Sequence, residues 1–146
     1  MNDKYISLKM LCPKYQIKLM ILFGSYNTDD FNSESDIDPA IEVDDCDLIY
    51  KYREQLLNEI SSIFSFRDID LVLLNHADPL LKKQIVSSGE LIYERRPGDF
   101  NKFKVRAYKE YFDAKKFYQS DKDLIKKYIK GGGNNGRQRV SPPQIN

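Results

Sequence analysis

The 146-residue chain has few of the residues that build metal and disulfide sites. It has one histidine, His76, and two cysteines, Cys12 and Cys46, which lie far apart. A single histidine excludes a multi-histidine metal site, and two separated cysteines favour reduced thiols over a disulfide scaffold. The longest unbroken apolar run covers residues 19–23, far short of the roughly 20 residues that cross a bilayer. Lysines interrupt residues 1–18, which excludes a secretory signal, so we expect a cytoplasmic protein with no membrane association.

Basic residues are absent from residues 24–50, which contain nine Asp and Glu. By contrast, residues 99–146 contain 12 Lys and Arg against 5 Asp and Glu, which leaves 11 against 17 for residues 1–98. The formal net charge of +1 therefore conceals an acidic middle and a basic end. This polarity indicates either a cation site together with an anionic partner, or two solvated faces.

Apolar periodicity and turn signals predict strands alternating with helices. We expect strands over residues 17–23, 36–43, 67–74 and 90–95. We expect helices over residues 4–14, 44–65 and 77–89, followed by an aromatic-rich basic helical segment over residues 99–130. This order predicts an α+β fold, with a small mixed sheet of about four strands flanked by helices.

The same pattern predicts one domain over residues 1–130, with a core over 15–98 and a C-terminal helical segment over 99–130. The tail over 131–146 has no apolar periodicity, and we expect it to be disordered.

Several residues have the properties of helix ends. Asp44, Asp45 or Asp47 is suited to cap the start of the helix after the second strand. Pro79 is suited to the first turn of the following helix, and Gly89 to its C-cap.

Two carboxylates occur two residues apart on the second predicted strand. Because side chains alternate along a strand, Asp36 and Asp38 should share one face, with α-carbons about 6.6 Å apart, while Ile37 faces the other way. Oxygen ligands without nearby Cys or His favour a hard cation such as Mg²⁺. The third predicted strand offers Asp68 and Asp70, one of which would complete a cluster of three carboxylates.

A glycine and a serine end the first predicted strand. Gly24 would let backbone N–H groups approach a ligand, and Ser25 could donate a hydroxyl to a phosphate. Phosphate and metal recognition would then lie at the same end of the sheet. These features together predict transfer of a nucleotidyl group from a nucleoside triphosphate.

Three motifs carry a resemblance to a known family. ILFGS (21–25), SDID (35–38) and DIDLVLL (68–74) resemble the nucleotidyltransferase superfamily related to DNA polymerase β. Their spacing is similar to that of its minimal bacterial branch, the MNT proteins, and residues 75–96 are similar to the segment after the third strand in that branch. The resemblance implies a polymerase-β-like fold over most of the chain.

The resemblance also implies roles for single residues. Asp36 and Asp38 match the paired metal-binding aspartates of the catalytic site, and Asp70 matches the third carboxylate. Gly24 and Ser25 match the pair that holds the triphosphate.

The family activity is implied in the same way. MNT proteins are antitoxins that use ATP and one or two Mg²⁺ ions to attach AMP to a tyrosine of a cognate HEPN ribonuclease toxin. The resemblance therefore implies an antitoxin adenylyltransferase in a heteromeric complex with a HEPN toxin.

Two alternatives stay open at this stage. Thr28, Asp29 and Pro39 depart from the family pattern, so one alternative is an antitoxin that neutralises its toxin by binding alone. The other is AMP transfer to a small molecule such as an aminoglycoside. We expect the aromatics of residues 100–128 to pack on the sheet or on a partner protein rather than to bind nucleic acid directly, and we do not expect His76 to act as a base.

Overall fold

The structure, a computed structural model, describes residues 3–24 and 36–120, and only the backbone of residues 118–120. The helices are α1 (Asp3–Leu11), α2 (Cys46–Lys51), α3 (Arg53–Ile63), α4 (Pro79–Ser88) and α5 (Asp99–Ser120). The strands are β1 (Ile17–Phe23), β2 (Asp38–Val43), β3 (Val72–Leu73) and β4 (Glu90–Glu94). Short 3-10 helices cover Pro13–Tyr15 and Leu74–His76.

The four strands form one mixed sheet in the order β3-β2-β1-β4. β1 pairs antiparallel with both β2 and β4, whereas β2 and β3 run parallel. In the β1–β2 register, Phe23 lies opposite Asp38 at one end and Ile17 lies opposite Val43 at the other. The predicted α+β class with a small mixed sheet is therefore confirmed.

Each face of the sheet carries its own apolar core. Along β1, Met20 and Leu22 pack into one core, while Leu19 and Ile21 pack into the other. This alternation follows from the two-residue period of a strand covered on both faces. The first core also takes its buried residues from α1, α2 and α3, and the second from α4 and α5.

Helix ends confirm two of the sequence predictions and refine a third. Asp45 caps α2, and Asp78 caps α4 by accepting a hydrogen bond from the Leu81 N–H at 2.8 Å, with Pro79 in the first turn. Gly89 is the C-cap of α4, but its φ of −79° is open to any residue. A Cβ at Gly89 would instead overlap Ile21 and the Ile85 carbonyl, so close packing explains this glycine.

Two predicted elements differ substantially from the structure. The helix predicted over residues 44–65 is divided at Tyr52, whose ψ of 25° separates α2 from α3 while Ile49 and Leu56 stay buried in one core. The strand predicted over residues 67–74 is reduced to β3, because only two residues pair continuously with β2. The helix predicted from residue 99 is present as α5.

Residues 121–130 of the predicted helical segment and the tail over 131–146 lie outside the described residues. Within residues 3–24 and 36–120, no helix has the length and apolar character needed to cross a membrane. Cys12 and Cys46 are free thiols, as predicted.

Candidate active site

The start of β2 presents two carboxylates on either side of a buried isoleucine. Ile37 is 0% exposed, whereas Asp36 is exposed and Asp38 is half-buried at the first position of the strand. The two-residue period of the backbone explains this pattern, because the core takes Ile37 and leaves its neighbours on the opposite side.

The segment before β3 brings a third carboxylate beside this pair. Ile37 forms a parallel bridge with Ile69. The Ile37 N–H donates to the Asp68 carbonyl at 3.0 Å, and the Asp70 N–H donates to the Ile37 carbonyl at 2.8 Å. These two hydrogen bonds fix the backbone of Asp70 next to Asp36 and Asp38, although the segment lies outside the regular strand.

Electrostatics show that the three carboxylates interact. The pKa of Asp38 is raised to about 6, first by partial burial, then by the charge of Asp70 and then by the charge of Asp36. Burial penalises the ionised form, and two nearby negative charges oppose it further. Asp38 is therefore the carboxylate of this group whose ionised form is disfavoured by its two neighbours.

Gly24 closes against this group from the end of β1. Its φ is +83°, a left-handed conformation that side chains rarely adopt, and a Cβ on Gly24 would overlap Oδ2 of Asp38. Glycine is therefore favoured here by the backbone conformation, and any side chain would have to move the Asp38 carboxylate. The β1–β2 register, in which Phe23 lies opposite Asp38, produces this contact.

Four of the five predicted site residues, Gly24, Asp36, Asp38 and Asp70, thus lie together at one end of the sheet. The fifth, Ser25, lies outside the described residues, as do Thr28 and Asp29. Pro39 occupies the second position of β2 and is buried.

The donor set suits a hard cation without forming a complete metal cage. Across residues 3–24 and 36–120, no group of three or more His, Cys, Asp or Glu side chains is arranged to hold a metal ion. The observation that fits a cation is the repulsion at Asp38, because a positive charge there would relieve it. Mg²⁺ commonly uses only one or two carboxylates and takes its remaining oxygens from water and substrate phosphates.

Two other polar side chains, those of His76 and Asn75, lie just after the third strand. His76 is exposed in the 3-10 helix after β3. Asn75 was not singled out from the sequence, yet its side-chain amide accepts from the Val43 N–H at 3.0 Å and donates to the Val43 carbonyl at 2.9 Å. This pair of bonds fixes the far end of β2. The sequence feature that could have identified Asn75 is its position directly after an apolar strand.

A small mixed sheet that gathers three carboxylates beside a glycine turn is the arrangement expected of a protein of the nucleotidyl-transferring class. Residues 7–98 match the family described as Polymerase beta, Nucleotidyltransferase, and the chain belongs to that family. The match begins before the predicted core over 15–98 and ends just before α5.

Individual relatives agree with this assignment. The chain is 27% identical over 140 residues to the protein adenylyltransferase MntA of Aphanizomenon flos-aquae (strain 2012/KM1/D3), covering 88% of this chain and 91% of the relative. It is similar to a chain in a crystal structure of a toxin-antitoxin with AMP-PNP, with a TM-score of 0.67 and 25% identity, covering 83% of this chain and 97% of the other.

A second solved structure shares the fold. It describes a tri-AMPylated Shewanella oneidensis HEPN toxin in complex with an MNT antitoxin. The TM-score is 0.62 at 24% identity, with 84% of this chain and 95% of the other covered. The predicted resemblance to polymerase-β-like nucleotidyltransferases is therefore confirmed.

Proposed function

We propose that this chain is an antitoxin adenylyltransferase that transfers AMP from ATP to a tyrosine of a HEPN ribonuclease toxin and thereby neutralises it. The observation that carries the proposal is the position of Asp38 between Asp36 and Asp70 and against Gly24. The similarity to MntA supports a protein acceptor, and the similarity to toxin-antitoxin complexes supports a HEPN partner.

In the proposed reaction, the tyrosine hydroxyl loses its proton to solvent and its oxygen forms a bond to the α-phosphorus of ATP. The bond from that phosphorus to the oxygen that bridges to the β-phosphate breaks, and pyrophosphate leaves. Gly24 lets the Asp38 carboxylate lie directly against the turn at the end of β1, since it has no side chain there. Asp36, Asp38 and Asp70 would hold one or two Mg²⁺ ions, which when bound offset the charge of the phosphates and orient the reacting oxygens. We place the activity in the cytoplasm, where the thiols of Cys12 and Cys46 stay reduced.

The direct test incubates the purified chain and a HEPN toxin with ATP labelled at the α-phosphate and Mg²⁺. We expect label on the toxin with the wild-type chain and none with the double variant Asp36→Asn and Asp38→Asn. A matched control removes two exposed carboxylates from the helices that follow the opposite end of β2, Asp47→Asn with Glu54→Gln, and should keep full activity. Equal labelling by the D36N/D38N variant, or no label on a folded toxin, would remove the transferase assignment.

A second candidate is neutralisation by binding alone. One observation favours it: Pro39 replaces a strand donor directly beside Asp38. Co-expression with the toxin separates the candidates, because D36N/D38N would still protect cells if occlusion suffices. Loss of protection by that variant, with toxin binding retained, would favour the enzyme.

A further inference from the structure

A charged cleft of about 370 Å³ lies at the end of the sheet away from Gly24. Every residue that lines it is charged. Its five cations come from β1, from the segment after β4 and from α5: they are Lys18, Arg95, Arg96, Lys102 and Arg106. Three carboxylates complete the lining, which gives a formal net charge of +2.

Each carboxylate in the cleft already has a partner. The pairs are Asp44 with Arg95 at 2.6 Å and 3.3 Å, Glu42 with Arg106 at 3.4 Å, and Asp99 with the backbone N–H of Arg96 at 3.1 Å. Arg95 additionally donates to the Gln16 carbonyl at 3.4 Å. These bonds hold the cleft walls in place, and two of the three carboxylates, Asp44 and Glu42, are paired with an arginine.

Three of the five cations in the cleft have no partner within the described part of the chain. Among the residues that the structure describes, the side chains of Lys18, Arg96 and Lys102 make no ion pair or hydrogen bond. Their charges are felt inside the cleft: the pKa of Asp44 is lowered mainly by its hydrogen bond to Arg95, with Lys18 and Arg96 contributing as nearby charges. The cleft therefore has an excess of positive charge with no internal partner.

We propose that this cleft binds a phosphate monoester of nucleotide size. A dianionic phosphate matches the excess charge of +2, and an arginine fork with two lysines is suited to phosphate oxygens. The volume lies at the lower end of the range for small-molecule sites. The neighbouring carboxylates offer acceptors for the hydroxyl groups of an attached sugar.

Side chains, not the helix end, carry this recognition. α5 begins at the cleft, but the Phe100 N–H donates to Glu94 at 2.9 Å and the Lys102 N–H donates to the Gly98 carbonyl at 3.0 Å. These backbone donors are already used, so ligand affinity should depend on Arg96 and Lys102.

The cleft is separate from the candidate active site. It lies at the Ile17 end of β1, and the aspartates lie at the Phe23 end. The strand residues that line the cleft, Lys18 and Glu42, lie five and four residue steps from Phe23 and Asp38, which is about 13–17 Å. Binding in the cleft should therefore not require Asp36 or Asp38.

The test is an NMR titration of the isotope-labelled full chain with AMP in the presence of EDTA, with adenosine as the probe that lacks phosphate. Four proteins are compared: wild type, D36N/D38N, Arg96→Gln with Lys102→Gln, and Lys109→Gln with Lys116→Gln. The last is the matched control, since it removes two exposed cations from α5 outside the cleft. A 5′-hydroxyl RNA oligonucleotide, which has only phosphate diesters, serves as a further probe.

We expect AMP to shift the amide signals of residues 18, 95–96 and 99–102 in wild type, D36N/D38N and the α5 control, and adenosine to leave them unchanged. The R96Q/K102Q variant should lose at least about tenfold in affinity while its spectrum stays folded. Three results would overturn the proposal: shifts confined to the Gly24 end, equal binding of adenosine and AMP, or cleft binding of the oligonucleotide without binding of AMP.

Discussion

At the scale of single residues, Asp38 is the carboxylate whose ionised form is most disfavoured in the candidate site. Its carboxylate is half-buried and faces the charges of Asp70 and Asp36, and its pKa is raised to about 6. A group repelled in the folded state but solvated in the unfolded chain opposes folding when it is ionised. The cluster of carboxylates therefore lowers the stability of the folded protein and at the same time favours the binding of a cation.

The raised pKa of Asp38 predicts how the free energy of unfolding depends on pH in the absence of divalent cations. The unfolded Asp38 loses its proton near pH 4, and the folded one near pH 6. Between these values the native state binds more protons, so the free energy of unfolding falls as pH rises through the window. At pH 7 in EDTA, we expect the Asp38→Asn variant to have a larger free energy of unfolding than wild type, by on the order of 1 kcal/mol after allowance for solvent screening. It should therefore unfold at a higher temperature.

Thermal unfolding followed by circular dichroism at pH 3.5 and pH 7 measures this difference. The gain should largely disappear at pH 3.5, where Asp38 is mostly protonated in both states. The exposed Asp113→Asn serves as the control and should stay within about 0.5 kcal/mol of wild type at both pH values. A D38N protein less stable than wild type at pH 7 would contradict the repulsion.

Gly24 and Gly98 form a matched pair for a second residue-scale prediction. Both have positive φ, +83° and +95°, but a Cβ would overlap Asp38 only at Gly24, and at Gly98 it would meet nothing within 4 Å. Replacement by alanine should cost each protein about 1 kcal/mol in backbone strain. Only Gly24→Ala should also displace Asp38 and lower AMP transfer, by about a hundredfold.

Rates of AMP transfer, compared with the stabilities of both variants, separate strain from displacement. Equal activities in the G24A and G98A variants would mean that the contact with Asp38 has no part in the reaction.

At the scale of elements, α5 is held to the sheet by one of its faces. Phe103 is 4% exposed and Ala107 is 1% exposed, and both pack in the second core with Leu19 and Ile21. Phe112 lies farther along the same helix and is 55% exposed. The two phenylalanines therefore have opposite surroundings on one element.

Phe103→Ala should destabilise the protein by about 3–5 kcal/mol, because it removes a buried ring and leaves a cavity. Phe112→Ala should change the stability by no more than about 0.5 kcal/mol. Urea denaturation of both variants measures the difference. Similar costs for the two would show that α5 is docked through another face.

The third strand shows why an element can be short and still place a functional residue. Only Val72 and Leu73 pair continuously with β2, yet the isolated bridge between Ile37 and Ile69 is enough to bring Asp70 beside Asp38. Two backbone hydrogen bonds fix this position. Strand length is therefore a poor guide to which residues the sheet edge holds in place.

At the scale of the whole molecule, the family match and the folding unit have different limits. The match ends at residue 98, but the second core includes Phe103 and Ala107 of α5. Truncation of the chain after Gly98 would remove Phe103 and Ala107 from the core that also contains Leu19 and Ile21, and would leave that core partly uncovered. Such apolar exposure is costly for a domain of this size.

We therefore expect residues 1–98 alone to lack cooperative thermal unfolding and dispersed NMR signals, whereas the full chain shows both. A well-dispersed spectrum from the truncated chain would mean that α5 is dispensable for the fold.

Local patterns in the sequence were sufficient for much of the fold. β1 was predicted over residues 17–23, as observed, and the alternation of Asp36, Ile37 and Asp38 was confirmed, because each depends only on neighbouring side chains. The break at Tyr52 and the short β3 were not predicted, since both depend on the contacts that those segments make elsewhere in the chain.

The sequence by itself determined which residues can carry the chemistry: a glycine at a strand end, paired aspartates about one strand later, and a third aspartate before an apolar run. Only the tertiary structure decided that these groups meet. The register of β1 against β2 places Gly24 on Asp38, and the bridge from Ile37 to Ile69 brings in Asp70. It also gathers cations from β1, the turn after β4 and α5 into one cleft. Strand register and long-range packing are set by the summed burial of two cores, which no short stretch of sequence encodes.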